Sequence, residues 1–407
     1  MLGAGRVAVR TLVLVAAGLL VAAVTAGPAG ADSVRDQEMW VLDAVHAQQA
    51  WQVTQGQGVT VAVIDSGVDP NVSDLRGSVR TGPDLSGVST ALSNANWGVH
   101  GTWMASLVAG HGHADGGSSG IIGMAPQAKV LSIRVVTDQS DPQFTKYERE
   151  PASRVQQNLA TAITYAVRHG AGVISMSLGY GGASQPVRAA LQSAVDAGVV
   201  VVASAGNSGG TQTSTHQGHA PYSFPADYPG VLGVAAVGQS GAPATFSSDN
   251  LSVQVAAPGV RVPAQGRDGK YWLVSGTSPA CALTAGVAAL VKARFPAMPP
   301  ALVDDAITAS TTHRPPHGYS QRVGFGTVDA AAALAEARRL AHDTPTGRGA
   351  GVGSYFGGGP GAVPPAPVAP RSSGALVVYC VLGLVSLSVA WVCGVRLLAV
   401  RSRSRWG

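Results

Sequence analysis

Between Asp32 and His342 short β-branched runs alternate with helix-forming stretches, and this alternation constrains the fold more than any other feature of the chain. The runs include VTVAVID (59–65), KVLSIRVV (129–136), GVISMSL (172–178), VVVVASAG (199–206) and VLGVAAVG (231–238). Between them lie a helix predicted near Thr102 to Ala109, then RVQQNLATAITYAVRHG (154–170) and VRAALQSAVDAG (187–198). Strands that are apolar at nearly every position are buried on both faces, which indicates a parallel sheet covered on each side by helices. The expectation is one α/β domain of three layers with a mostly parallel central sheet. Ser153 followed by Gln156 fits a capping box that starts the central helix, and Gly170 fits its end. In such sheets ligands and chemistry collect in the loops at the carboxyl ends of the strands.

The two ends of the chain differ from this domain. Arg6 and Arg10, the apolar run Thr11 to Thr25 and then Ala29-Gly30-Ala31 have the order of a secretory signal, with cleavage expected after Ala31. Residues 375–395 are free of charge and long enough to span a bilayer as a helix. Arg396, Arg401, Arg403 and Arg405 follow directly, which places residues 396–407 in the cytoplasm as a basic tail and everything before the span outside. Residues 343–374 are rich in Gly, Pro, Ser and Ala and read as a linker that cannot bury enough surface to fold. The expected organisation is therefore a signal at 1–31, the α/β domain at 32–342, the linker, one transmembrane helix and the tail, with the domain outside a cell membrane.

Charge and cysteine content narrow the possible functions. Setting aside the signal and the tail leaves 21 basic against 22 acidic residues, so the exported part lacks the basic surface that nucleic-acid binding requires. Cys380 and Cys393 fall in the predicted span and Cys281 stands alone, which leaves no internal disulfide for the domain. His111, Gly112, His113 and Asp115 resemble a metal-ligand cluster only in composition, and read as a solvated Gly-rich loop with no supporting strand or helix. The expectation is no metal and no cofactor, with a structural calcium site not identifiable. The segment TDQSDPQFTKYEREPAS (137–153) also reads as a solvated loop.

Three residues are candidates for chemistry. Asp65 closes VTVAVID and is followed by Ser66-Gly67, a turn that carries the chain off the sheet; alone, such a residue is more often a loop or cap residue than a catalytic one. His100 heads HGTWMASLVAG, a small and apolar helix, and is ambiguous alone. Ser278 in VSGTSPACALTAGVAALV fits a helix N-cap with Pro279 at the first helical position, whatever its function. An esterase of the α/β-hydrolase type is excluded, because Ala280 stands where its nucleophile elbow needs Gly and the order of the three residues differs. A dinucleotide enzyme is excluded because Gly56 and Gly58 precede the first strand instead of following it.

VAVIDSGVD, HGTWMAS and SGTSPA, in the order Asp, His, Ser, resemble the three active-site motifs of the subtilase family of serine proteases. ASAGNSGG resembles the family's oxyanion-asparagine segment, and ISMSLGYGG, SFPADYPGVLGVAAVG and FSSDNLSVQVAAPGV extend the likeness over the exported domain. Val99, Pro279 and Ala282 depart from the family's usual residues without removing a catalytic group. The resemblance implies a subtilisin-like fold, with Ser278 as nucleophile, His100 as base and then acid, Asp65 as its partner, and Asn207 with the Ser278 N–H at the oxyanion. It also implies that Ser177, Leu178 and Gly179 pair with an extended peptide substrate.

The segment between the expected cleavage site and the first strand leaves no room for an inhibitory pro-domain, and its stretch QEMWVLDAVHAQQAW reads as a helix-forming strap that packs on the domain. The signal, the lack of a pro-domain, the Pro-rich linker, the terminal span and the short basic tail together are similar to those of mycosins, membrane-bound subtilases associated with type VII secretion. That likeness implies polypeptide substrates, a cytoplasmic-membrane anchor and membrane secretion components as partners. Two other functions fit the sequence: a structural stabiliser of a secretion complex with proteolysis secondary, and a general surface quality-control protease. A Ser278→Ala chain that still replaced the native one would indicate the first; broad cleavage of unfolded proteins would indicate the second.

Overall fold

The computed structural model describes residues 31–113, 117–211 and 218–343. The predicted signal, linker, span and tail lie outside the described residues, apart from Ala31 at the end of the first and Asp343 at the start of the second. Among the described residues no helix is long and apolar enough to cross a membrane.

Seven strands form one parallel sheet: β1 (Thr60–Asp65), β2 (Val79–Asp84), β5 (Lys129–Arg134), β6 (Val173–Met176), β7 (Val200–Ser204), β8 (Val231–Val237) and β9 (Val255–Pro258). Their order is β2-β5-β1-β6-β7-β8-β9, and every neighbouring pair is parallel. Two antiparallel hairpins stand apart, β3 (His111–His113) with β4 (Ser119–Ile122) and β10 (Val262–Gln265) with β11 (Tyr271–Val274). The helices are α1 (Ala31–Ala44), α2 (Ala47–Trp51), α3 (Val99–Ala109), α4 (Phe144–Tyr147), α5 (Ala152–Arg168), α6 (Gln185–Asp196), α7 (Thr277–Arg294), α8 (Pro300–Ala309) and α9 (Ala330–Asp343).

The fully apolar strands are explained by two cores. Val61 and Val63 of β1, Val173 of β6, and Val200 and Val202 of β7 point into one core, shared with α3 and α7. Ala62, Ile64, Leu131, Ile133, Ile174, Met176, Val201 and Ala203 point into the other, shared with α5 and α6. Because successive side chains of a strand alternate faces, a sheet covered on both sides needs an apolar residue at each position. Fully burying one Val or Ile contributes about 1.5–3 kcal/mol. The three-layer expectation holds.

The stretch before β1 packs on the domain, as its sequence suggested. Val34, Val41, Leu42 and Val45 are buried. From α1 the Arg35 guanidinium donates to the carbonyls of Gly117 and Gly120, with Nη2 2.7 Å from the latter. Glu38 is buried, accepts the Ile122 N–H at 3.0 Å and pairs with Arg35 at 3.3 Å; burial pushes its carboxyl up to about 8. His46 Nδ1 lies 2.7 Å from an Asp329 carboxylate oxygen, tying this strap to the start of α9.

Three local expectations are corrected. Pro151, at φ −59° and ψ 135°, delivers the chain directly into α5 at Ala152, so Ser153 sits exposed in the first turn without capping and the box with Gln156 is not formed. Gly170, at φ +78°, does end that helix. The 137–153 segment is not a solvated loop throughout: Asp138, Asp141 and Tyr147 are buried. The buried Arg134 at the end of β5 requires counter-charge, and Asp141 and Asp84 supply it at 2.8 and 2.6 Å. Lastly, His111–His113 is a strand instead of a loop, and His113 Nδ1 is bonded to the buried Asp74 at 2.6 Å. Asp115 lies outside the described residues.

Candidate active site

β1 is the third of the seven strands, and the chain leaves it first towards β2 and β5 and later crosses to β6 and β7. The strand order reverses at β1, and the carboxyl ends of the strands at such a reversal are the usual place for a site in an open α/β sheet. Asp65 is the last residue of β1, Ser177 follows β6, and Asn207 follows β7 by three residues.

Asp65 is almost completely buried, and its Oδ1 accepts the Ser66 N–H at 2.7 Å and the His100 ring at 2.8 Å. A carboxylate only accepts, so His100 Nδ1 carries the proton and Nε2 of the neutral ring is left as an acceptor. Nε2 is buried and has no hydrogen-bond partner among the described residues.

His100 is the second residue of α3, and the residues around it explain the local sequence. A Cβ on Gly101 would lie 2.1 Å from the Gly67 carbonyl oxygen, so only glycine lets the helix approach the end of β1 this closely. The Gly101 N–H donates to Ser66 Oγ at 3.0 Å. Thr102 Oγ1 donates to the Gly98 carbonyl and accepts the Asp69 N–H at 3.0 Å, which ties the helix start to the turn after β1. Gly67 itself lies under the Trp97 ring, where a Cβ would come within 2.5 Å. Burial presses the His100 pKa down, but the charge of Asp65, its hydrogen bond and the charge of Asp138 together carry it above the usual 6.5.

Ser278 is the second residue of α7 and does not cap it; Gly276 precedes the helix with no side-chain cap, and Pro279 is the third residue. The reason lies across the crevice. Asn207 Oδ1 accepts the Thr277 N–H at 2.9 Å and its hydroxyl at 3.0 Å, satisfying the start of the helix from β7. Those two bonds fix the plane of the Asn207 amide beside Gly276.

Ser278 Oγ donates to the Ser177 carbonyl at 3.3 Å, and Ser177 Oγ donates to the Ser278 carbonyl at 3.0 Å. The structure thus joins Asp65 to His100, Ser278 to Ser177 and Asn207 to Thr277. It does not hydrogen-bond Ser278 to His100. Rotation about the serine χ1 would redirect the hydroxyl, a change common between resting and substrate-bound sites. Leu178 and Gly179 continue the strand line beyond Ser177, both half-buried. Tyr180 pairs with Phe224 by N–H to carbonyl bonds of 2.8 and 2.9 Å, and a Cβ on Gly179 would lie 2.2 Å from Ser223 Oγ.

Two neighbours of His100 were not identified in the sequence. Trp103, one turn along α3, meets the imidazole edge-on with centroids 6.3 Å apart and packs against Trp272 at 6.0 Å. Asp138 accepts the Val99 and His100 N–H groups in the first turn of α3. Its one sequence signal is its place after β5, at the same sheet end as Asp65. Cys281 is buried 3.8 Å from Ser175 Oγ, and burial pushes its thiol up to about 12, which leaves it unreactive.

A carboxylate, an imidazole and a serine hydroxyl at the carboxyl ends of a parallel sheet define the class of site found in serine hydrolases. The profile of the Subtilase family matches residues 56–326, and the chain belongs to that family. It is a serine endopeptidase of subtilisin-like fold. Mycosin-1 of Mycobacterium tuberculosis (strain ATCC 25618 / H37Rv) is 34% identical over 334 residues, covering 72% of this chain and 72% of the relative. Thermitase of Thermoactinomyces vulgaris is 35% identical over 247 residues, covering 61% of this chain and 79% of the relative. Among solved structures, MycP1 from the ESX-1 type VII secretion system superposes with a TM-score of 0.59 at 30% identity, covering 72% of this chain and 85% of that one.

Proposed function

We propose that the chain is a mycosin-like, membrane-anchored endopeptidase that cleaves exported polypeptides outside the cytoplasmic membrane, in association with a type VII secretion apparatus. Asp65, His100 and Ser278 form its triad. The Ser278 hydroxyl attacks the scissile carbonyl while His100 Nε2 takes its proton and then passes it to the leaving amine. Asp65 holds the imidazole in the required tautomer and stabilises the imidazolium. The Asn207 amide and the Ser278 N–H receive the oxyanion, and water, activated by the same imidazole, releases the acyl group. Ser177 to Gly179 pair with the extended substrate on the acyl side. Apart from that water, the steps use side chains and backbone of the chain itself.

One observation carries this mechanism: the buried 2.8 Å bond from His100 Nδ1 to Asp65, which leaves Nε2 as the acceptor. The anchor and topology are supported by the uncharged 375–395 segment and the arginines after it. The secretion role is supported by the likeness to the mycosins, named in one solved structure as part of a type VII system.

The pH dependence tests the mechanism. His100 must be neutral to act as base, and its pKa lies above the usual 6.5. Activity is therefore present at higher pH and lost as pH falls through that raised value. kcat/KM for a peptide substrate, measured from mildly alkaline to acid pH, should fall on one acid limb whose midpoint lies above 6.5. A profile flat into mild acid contradicts the role of His100.

A further inference from the structure

Helix α3 begins at Val99 after Gly98, which has left-handed backbone and offers no side chain to the unpaired N–H groups of the first turn. The carboxylate of Asp138, four residues past the end of β5, takes that place. Its Oδ2 accepts the Val99 N–H at 2.9 Å and its Oδ1 accepts the His100 N–H at 3.0 Å. The side chain is only 6% exposed, and the buried Asp65 carboxylate is near enough to act on it. A second buried acid beside the first is costly unless something there is positive or becomes so. The backbone N–H groups and the helix N-terminus supply part of that compensation, and the imidazole can supply the rest.

We propose that Asp138 is a positioning residue for the hydrolytic reaction: its carboxylate clamps the first turn of α3 by two backbone bonds, and it shares with Asp65 the stabilisation of the His100 imidazolium. The two functions follow from one geometry. The clamp fixes the backbone from which the His100 side chain projects, so the ring meets Asp65 without searching among rotations of the helix end. The charge sits at the His100 backbone N–H and acts on the ring through space, whereas Asp65 bonds to Nδ1. The groups that act on His100 from the surrounding elements are Asp65 on β1 and Asp138 after β5. Those that act on Asp138 are His100, Asp65 and the Ser66 hydroxyl, and burial raises its own pKa. Cys281 on α7 faces Asp65 with its thiol protonated. This inference rests on His100 being the general base.

The test uses the full-length chain in detergent, as native protein and as Asp138→Asn and Asp138→Glu. Asn keeps the size and one acceptor but removes the charge; Glu keeps the charge on a longer arm. Two readouts are taken against pH: the rate of fluorophosphonate labelling of Ser278, and titration of the His100 ring by NMR in a Ser278→Ala background. In Asp138→Asn the His100 pKa should fall by roughly half to one unit, with the acid limb of labelling moving the same way and the plateau rate falling about tenfold. Asp138→Glu should keep the limb near its native position while the plateau rate falls.

An unchanged His100 pKa and limb in a folded Asp138→Asn chain overturn the proposal, as does a Glu variant whose limb moves as far as that of Asn. If Asp138→Asn does not fold, the Glu variant decides alone: a native limb with a slower plateau supports the clamp, and a native plateau overturns it. A native chain whose serine never labels, but whose His100 pKa still drops in Asp138→Asn, would overturn the triad reading and not the electrostatic contact.

Discussion

His100 carries opposing demands. Its burial disfavours the charged ring, yet its proposed role as base requires that ring to hold a proton for part of each cycle. Asp65 at 2.8 Å, with Asp138 behind the helix start, shifts the balance towards the charged form, so the base is stronger than an exposed histidine. Asn207 has a comparable double use. Its carbonyl side holds the Thr277 N–H and hydroxyl, and this orients the amide proposed to donate to the oxyanion. Asn207→Ala is expected to lower kcat by on the order of 10²–10³ with KM little changed, a magnitude established on a subtilisin for loss of one such donor. Steady-state kinetics on a peptide substrate check it; an unchanged kcat would remove Asn207 from the mechanism. Asp65, His100, Ser278 and Asn207 were singled out through the likeness of their motifs to those of the subtilases, since each residue alone was ambiguous. The pairing of Asp65 with His100 was implied by that likeness, whereas the bonds from Thr277 to Asn207, 70 residues apart, were not.

Helices α3 and α7 are buried nearly all round, which sets their composition of small residues. Gly101 meets the Gly67 carbonyl, and Gly286 meets Met124, where a Cβ would come within 2.4 Å. Gly101→Ala should destabilise the domain by about 1–3 kcal/mol, because the clash is with backbone that cannot rotate away. It should also lower kcat, since the displaced element carries His100. Thermal unfolding beside kinetics checks this, and a variant with native stability and rate would refute the close approach. Element type was readable where period and burial agreed, as in β1, β6, β7 and α5. Element starts were less so. Ser153 and Ser278 both look like caps in sequence, but Pro151 starts one helix earlier and Asn207 satisfies the other from outside. The buried half of segment 137–153 was missed for a related reason: its acids answer Arg134 and the start of α3, and neither demand is local.

At the scale of the molecule, the parallel sheet gathers the carboxyl ends of β1, β6 and β7 at one end, between the cores packed on its two faces. The strap of α1 and α2 fastens the chain's entry to the β4 side through Arg35 and Glu38. The fold was legible because apolar strands and amphipathic helices alternate over nearly the whole domain. Proposed anchoring by residues 375–395 makes a separate prediction: a chain ending at Thr344 should leave the membrane fraction and still hydrolyse peptide, whereas the full chain should pellet with membranes. Equal distribution of the two by fractionation would refute the anchor.

The central claim is that Ser278 is an activated nucleophile. Labelling of the full-length chain with a fluorophosphonate probe, beside Ser278→Ala and His100→Ala, tests it most directly. The expected result is one labelled site at Ser278, absent from the Ser278→Ala chain and reduced at least about a hundredfold in His100→Ala. A folded native chain that does not label, or that labels equally after Ser278→Ala, would contradict it.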